Sequence, residues 1–262
     1  MNLTIVTSTG KILLLLLLSA VISYSFASIV LTRAARWKLV QAPNHRSSHE
    51  QPTPNGGGLG IVVAVSLTTI WLAWGGANQL WPVLIFSLPI AWVGFLDDVR
   101  GISAKWRFLW QVAVVAGVLM TLGSMPPLVF WAGFSLQGWL LMGFLFVVGA
   151  WWVNLFNFMD GTDGIAGTQT ITMLLAGAAI ALWASPDAST SPIWTLMLSV
   201  TAATFGFLIL NWPPAKIFMG DVGSTWLAFI IFALALLTVQ AGWLNYPAWV
   251  TGNPTPLYLL QI

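Results

Sequence analysis

Residues 139–164 read WLLMGFLFVVGAWWVNLFNFMDGTDG, an apolar stretch of helical length that ends in a short group of amides and carboxylates. A helix needs about 20 apolar residues, with about 17 tolerable, to cross a hydrocarbon core that is roughly 30 Å thick. A carboxylate placed inside that core costs about 2.5–3.5 kcal/mol on insertion scales. This stretch therefore predicts a membrane-spanning helix. The polar residues at its end are energetically unfavourable in lipid, which indicates that they have a function.

The composition of the whole chain agrees with this interpretation. Of its 262 residues, 58% are hydrophobic and only 6% are charged, so a soluble domain of this size would have too little polar surface to cover its exterior. The absence of Cys excludes disulfides, thiolate metal sites and thiolate nucleophiles. A net charge of +2 gives no support for nucleic acid as a partner. The chain is predicted to be embedded in a lipid bilayer.

Eight apolar runs of this kind follow one another. They are residues 12–31, 59–75, 80–96, 108–122, 139–155, 165–183, 192–210 and 225–241. The fourth run is short, which indicates a tilted or interrupted helix, and the proline-containing tail 242–262 begins a ninth span without completing it. We predict an all-α polytopic membrane protein of about eight transmembrane helices plus a partial ninth, with residues 1–262 forming a single domain.

The distribution of basic residues predicts the orientation of the chain. Arg33, Arg36 and Lys38 follow the first run, which is too long for a typical signal peptide and is interpreted as a retained helix. The positive-inside rule then places the N-terminus outside and the next loop in the cytoplasm. Alternation also assigns residues 97–107, 156–164 and 211–224 to the cytoplasmic face. The acidic clusters of the chain are therefore expected to meet on one side of the membrane, at the active site.

Asp97 and Asp98 close the third run. Consecutive helical residues point in different directions, so one carboxylate is expected to meet a metal ion or a substrate proton while the other anchors the loop. The open alternative is a solvated helix end that pairs with Arg100.

The polar residues Asn154, Asn157, Asp160 and Asp163 recur every three positions. On a helix this spacing produces a slowly drifting stripe of amides and carboxylates, which suits oxygen ligation and hydrogen bonding to uracil or ribose. A simple interfacial cap is the alternative interpretation.

Asp221 lies between Gly220 and Gly223, just before the last run. A structural N-cap is one interpretation of this position. The flanking glycines favour a closely approached carboxylate instead, and hard oxygen ligands suit Mg²⁺ better than zinc.

Further candidate binding groups lie in the loops. His45 and His49 belong to a proline-rich segment and are candidates for phosphate or substrate contacts. The stretch Pro54–Gly60 is a candidate phosphate cradle through the backbone N–H groups of the residues after the proline. Lys105 and Arg107 either anchor the membrane face or hold a diphosphate. Together these groups favour magnesium-dependent phosphoryl-type transfer between a soluble nucleotide donor and a lipid acceptor.

Four stretches carry a family resemblance: His49–Gly58, Gly94–Asp98, Asn154–Gly164 and Phe218–Ser224. In order and spacing they resemble the polyprenyl-phosphate N-acetylhexosamine-1-phosphate transferases of glycosyltransferase family 4, which include the phospho-MurNAc-pentapeptide transferase. The chain is most similar to the branch that initiates O-antigen or related surface polysaccharides. The resemblance implies an enzyme of the bacterial inner membrane that transfers sugar 1-phosphate from UDP-N-acetylhexosamine to undecaprenyl phosphate and releases UMP.

The resemblance also implies roles for individual residues. Asp221 matches the principal Mg²⁺ ligand, for which Mn²⁺ is an alternative ion, and Asn154 matches a second ligand. Asp97 and Asp98 match an Asp pair that deprotonates the lipid phosphate or places the metal, so these two and Asp221 are the predicted catalytic residues. The predicted substrate-binding residues are Asn157, Asp160, Asp163, His49 and Lys105. The first three match the nucleotide site, and the last two match diphosphate contacts.

Members of the family carry a later cytoplasmic loop with a histidine motif, and the printed sequence ends at Ile262 before such a loop. We therefore expect weak or no activity from the chain as given. Two other function classes stay open at this point, an ion-coupled transporter and an inactive remnant. Whether the protein forms a homodimer is also open.

Overall fold

A computed structural model describes residues 9–41, 52–129 and 134–243 of the chain. Eight helices make up most of this part. They are α1 (Thr9–Trp37), α2 (Leu59–Trp74), α3 (Leu80–Arg100), α4 (Ala104–Leu122), α5 (Gly138–Met159), α6 (Ile165–Ala184), α7 (Pro192–Asn211) and α8 (Asp221–Gln240). A short 3₁₀ helix, Pro186–Thr190, connects α6 to α7.

The all-α polytopic membrane prediction is confirmed. A helix covers each of the eight predicted runs, and seven of these helices are long and apolar enough to cross a bilayer. The helix α2 has 16 residues and is shorter than the others. The fourth run is longer than predicted, because α4 begins at Ala104 directly after the extended residue Ser103 and so includes Lys105 and Arg107. The predicted partial ninth span lies outside the described residues.

Two short antiparallel hairpins accompany the helices. Strands β1 (Val40–Gln41) and β2 (Thr53–Pro54) pair between α1 and α2, with Val40 opposite Pro54. Strands β3 (Leu128–Val129) and β4 (Ser135–Leu136) pair between α4 and α5.

Small residues allow the helices to pack closely. The helix α8 is almost wholly buried, whereas most of α1 is exposed. A side chain at Gly60 would collide with the backbone of Ser23 in α1, and one at Gly206 would collide with the backbone of Ala20. Close approach over small residues is the usual means of helix association where lipid supplies no hydrophobic driving force.

The four segments predicted to be cytoplasmic meet at one end of this bundle. The C-terminal ends of α3, α5 and α7 lie there with the N-terminal ends of α4 and α8 and with the residues that follow α1 or precede α2 and α6, because residues from each of these segments line one cavity. The side of the membrane that this end faces stays a prediction.

Candidate active site

A cavity of about 600 Å³ opens at this end of the bundle. Its size lies within the usual range of small-molecule sites, which is roughly 300–1,000 Å³. The side chains with polar groups along its wall are Gln41, Asn55, Asp97, Asp98, Arg107, Asn157, Asp160, Thr162, Asp163, Asn211 and Asp221. The structure therefore brings together carboxylates from three predicted clusters that lie far apart in the sequence.

Arg107 bridges two of these clusters. Its Nη1 atom lies 2.6 Å from Asp97 Oδ2 on α3 and 2.5 Å from Asp221 Oδ2 on α8. The other oxygen of Asp97 accepts a hydrogen bond from the backbone N–H of Ile102 at 2.5 Å. One guanidinium thus contacts two carboxylates that are more than 120 positions apart, which shows that both can reach a single shared cation.

Asp98 points in a different direction from Asp97. Its Oδ1 accepts hydrogen bonds from the backbone N–H of Asp221 (2.9 Å) and from Asn55 Nδ2 (3.0 Å), and its Oδ2 accepts from the N–H of Val222 (3.0 Å). The anchoring role that the sequence predicts for one member of the pair therefore falls to Asp98, while Asp97 faces Arg107.

Asp160 and Asn157 present polar groups to the cavity from the end of α5. Neither side chain has a hydrogen-bond partner in the part of the chain that the structure describes, so both are available to a ligand. Burial raises the pKa of Asp160 well above its ordinary value of 3.8, and the nearby carboxylates of Asp221 and Asp98 raise it further. This position favours a neutral carboxyl group or a carboxylate paired with a bound cation.

Asp163 and Asn211 hold the loops beneath the cavity. Asp163 Oδ2 accepts a hydrogen bond from the N–H of Ala215 at 2.9 Å. Asn211 accepts from Gly164 N at 3.0 Å through Oδ1 and donates to Ile217 O at 2.9 Å through Nδ2. The segment before α6 is thereby tied to the segment before α8. Gly164 has a φ of +73°, which a residue with a side chain adopts only with strain.

Three of the predicted residues are not placed in the cavity. Asn154 is exposed, its Nδ2 donates to the carbonyl of Ala150 at 2.8 Å, and it does not line the cavity. A three-residue spacing drifts by about 60° per step on a helix of 3.6 residues per turn, so Asn154 faces well away from Asp160. Lys105 is exposed and lies outside the lining, and His49 lies outside the described residues. The roles predicted for these three stay predictions.

The structure contradicts the phosphate cradle predicted at Pro54–Gly60, because several of its backbone N–H groups already donate to carbonyl oxygens of the protein. Asn55 N donates to Leu39 O, and Gly57 N and Gly58 N donate to Phe218 O and Met219 O, each at 2.9 Å. The glycines serve close packing instead, because a side chain at Gly58 would collide with the backbone of Gly223.

The donor set fits a divalent ion that a substrate helps to hold. Within residues 9–41, 52–129 and 134–243, no three acidic or imidazole groups are arranged to hold a metal by themselves. Mg²⁺ is commonly bound by one or two carboxylates together with substrate phosphates and water. Asp97 and Asp221, which both contact the guanidinium of Arg107, supply two hard oxygen donors of this kind.

Sequence reasoning missed the functions of Asn55 and Asn211 and the bridging contact of Arg107. Asn211 gave a signal, since it is a single amide at the end of an apolar run, as Asn154 is. Asn55 was interpreted only through the glycines that follow it. No spacing along the sequence indicates that Arg107 reaches Asp221, because this contact joins residues 114 positions apart.

Comparison with known proteins gives two findings. The sequence model of the family described as "Glycosyl transferase family 4" matches residues 80–239. A protein of Bacillus subtilis (strain 168), a probable undecaprenyl-phosphate N-acetylglucosaminyl 1-phosphate transferase, is 34% identical over 205 residues, which are 76% of this chain and 55% of that protein. The chain therefore spans about half the length of this relative.

Proposed function

Because the chain belongs to glycosyl transferase family 4, we propose that it transfers N-acetylhexosamine 1-phosphate from a UDP-sugar to undecaprenyl phosphate and releases UMP. The similar Bacillus subtilis protein bears a name with this acceptor and with N-acetylglucosamine as the sugar. Such a product would initiate a lipid-linked surface polysaccharide of the O-antigen type. The observation that carries the proposal is the polar cavity, in which Arg107, Asp97 and Asp221 meet at the ends of membrane-spanning helices.

In the proposed reaction, an oxygen of the lipid phosphate forms a bond to the phosphorus atom that carries the sugar. The bond from this phosphorus to the bridging oxygen breaks, and UMP leaves with the bonding electrons. Asp97 faces the cavity and is the proposed acceptor of a proton from the lipid phosphate. Arg107 is proposed to neutralise charge on the diphosphate, in exchange for its contacts with the two carboxylates.

Asp221 is the residue proposed to hold Mg²⁺, with Mn²⁺ as an alternative ion, and Asp97 is proposed as a second ligand in the alternative in which it does not accept the proton. When bound, the ion would neutralise the oxygens of the diphosphate. The uracil and ribose groups are proposed to bind Asn157 and Asp160, since an amide offers both a donor and acceptors and neither side chain has a partner among the described residues.

A cytoplasmic location of the site in a bacterial inner membrane is part of the proposal. Seven of the nine basic residues lie in or beside the helix ends that surround the cavity: Arg33, Arg36, Lys38, Arg100, Lys105, Arg107 and Lys216. The positive-inside rule places such an end in the cytoplasm. An ion-coupled transporter has less support, because transport uses acidic groups near mid-membrane and these carboxylates lie at helix ends.

The test is an assay of UMP release by the purified chain with undecaprenyl phosphate, Mg²⁺ and a mixture of UDP-hexosamines. The same assay is run on a chain extended by the C-terminal part of the Bacillus subtilis relative, because this chain spans about half the length of that protein. Mass analysis of the lipid product identifies the sugar.

The variants Asp97→Asn and Asp221→Asn are expected to lose at least about 100-fold in rate. Asp187→Asn is the matched control, because Asp187 is exposed in the 3₁₀ helix beyond the far end of α6. Unchanged turnover in both cavity variants would refute the proposed site.

A further inference from the structure

We infer that Asp98, held by Asn55, is a positioning residue that caps helix α8 from a different helix and thereby aims Asp221 into the cavity. The inference deepens the proposed function and rests on it for its kinetic consequences. It assigns different roles to the two adjacent carboxylates: Asp97 faces the proposed reaction, and Asp98 holds the backbone at the start of α8.

The start of α8 explains why an external cap is needed. The first four N–H groups of a helix have no partner within it, and a side chain at the N-cap position usually binds one of them. Here the N-cap residue is Gly220, which has no side chain. Its carbonyl accepts hydrogen bonds from the N–H groups of Gly223 and Ser224, both at 3.0 Å. The N–H groups of Asp221 and Val222 are left for another partner.

Asp98 supplies that partner with both of its oxygens, at 2.9 Å and 3.0 Å. A negative charge at this position also interacts favourably with the positive end of the helix dipole. The fit is close, because a side chain at Gly220 would place its Cβ only 2.6 Å from Asp98 Oδ2. The cap is therefore specific in geometry and uses α3 to hold α8.

Asn55 fixes the cap in turn. Its Nδ2 donates to Asp98 Oδ1 at 3.0 Å, its Oδ1 accepts from the N–H of Gly56 at 2.8 Å, and its own N–H donates to Leu39 O at 2.9 Å. The neighbouring backbone is tied to the segment before α8, since Phe218 N donates to Pro54 O at 2.8 Å. Asn55 is thus held on both sides and cannot turn without breaking these bonds.

These contacts leave Asp98 poorly suited to act as a base. Three N–H groups bind its two oxygens, which leaves only about one of the roughly four lone-pair sites of the carboxylate for a substrate proton. Asp221 is the first residue of α8, and one of the capped N–H groups is its own. The direction of the Asp221 side chain therefore follows from the position of Asp98.

The experiment compares Asn55→Ala, Asp98→Asn and their double variant by hydrogen–deuterium exchange and by kinetics on the C-terminally extended chain. Peptides covering residues 218–224 are expected to exchange at least about tenfold faster in both single variants. The two variants are also expected to share a loss of roughly 10–100-fold in turnover, as typical for groups that orient a ligand, with an unchanged pH–rate profile. Because both act through one contact, the double variant should lose little more than Asp98→Asn alone.

A swap of the two side chains supplies the decisive comparison. Asn55→Asp combined with Asp98→Asn restores an amide–carboxylate pair, in which position 98 still offers an oxygen to α8. Partial recovery of the lost protection and turnover is expected, because the amide at position 98 offers one oxygen to α8 where the carboxylate offers two. A missing base at position 98 would permit no recovery of turnover. Asn78→Ala is the control variant, because Asn78 is an exposed amide in the loop between α2 and α3, away from the cavity.

Two results would overturn the inference. One is wild-type exchange over residues 218–224 in both single variants. The other is an Asp98→Asn variant that loses one limb of the pH–rate profile and is not rescued by the swap. If the extended wild-type chain showed no transfer at all, the proposed function would fail, whereas the exchange data would still decide whether Asp98 caps α8.

Discussion

Gly94→Ala tests how closely α3 must approach α8 for the site to form. A Cβ at position 94 would lie 2.5 Å from the carbonyl oxygen of Asp221 and 2.7 Å from the backbone nitrogen of Val222. These atoms belong to backbone and cannot rotate away. Ordinary contact begins at 3.4 Å, so α3 and α8 would have to separate by about 0.9 Å at this point.

The magnitude follows from the hydrogen bonds at the same contact. A separation of about 0.9 Å would stretch the hydrogen bonds that Asp98 accepts from the N–H groups of Asp221 and Val222, now 2.9 Å and 3.0 Å, beyond hydrogen-bond length. Overpacking costs about 1–3 kcal/mol, and a hydrogen bond to a charged group is worth about 1.5–3 kcal/mol. We expect the variant to unfold at a clearly lower temperature and to lose at least about 100-fold in transfer rate.

The assay is thermal unfolding in detergent together with UMP release by the extended chain. Gly143→Ala in α5 is the matched control, because a Cβ there meets nothing within 4 Å. Alanine also has the higher helix propensity, so this control is expected to keep or slightly raise the Tm. A Gly94→Ala variant with wild-type Tm and rate would refute the reasoning, since it would show that the interface of α3 and α8 yields without cost.

Three further variants probe the cavity wall. Arg107→Gln leaves Asp97 and Asp221 without the guanidinium that they share, so we expect a lower Tm that excess Mg²⁺ partly restores. Thermal unfolding with and without the ion measures this effect. An equal loss of Tm in both conditions would argue against metal binding at these carboxylates. Asp160→Asn removes a carboxyl group whose raised pKa lets the folded state bind a proton more tightly than the unfolded state. The contribution of this group to stability is therefore lost as the pH rises from about 3.8 through the raised pKa of the folded state. The variant should gain Tm over wild type at pH 8 but not at strongly acidic pH, while losing transfer. Asp163→Ala is expected to lower the free energy of unfolding by about 1–3 kcal/mol, because Ala215 N loses its acceptor. Asp163→Asn keeps an acceptor oxygen and is expected to keep the stability. A raised KM for the UDP-sugar in Asp163→Asn at unchanged Tm would instead indicate that this carboxylate contacts the substrate.

Part of the candidate site could be predicted from the sequence because it follows from the order of the helices. Each acidic cluster ends or begins an apolar run, and alternate crossings bring such ends to one face. The convergence of Asp97, Asp160 and Asp221 was predicted in this way, and all three line the cavity. The metal role that the resemblance implies for Asn154 stays a prediction, and the drift of a three-residue spacing around a helix turns its side chain away from Asp160.

The length of an apolar run and the cost of a charge in lipid are local properties, so the order of the residues alone was enough to predict a helical membrane protein. The different roles of the residues within each polar cluster depend instead on how the helices pack. Asp97 and Asp98 are equivalent in the sequence, yet one meets Arg107 while the other caps α8, through contacts with residues 10 and 123 positions away. The reason is that the direction of a carboxylate depends on which helix packs beside it, and that packing is set by glycines such as Gly94 that no local pattern distinguishes from the others.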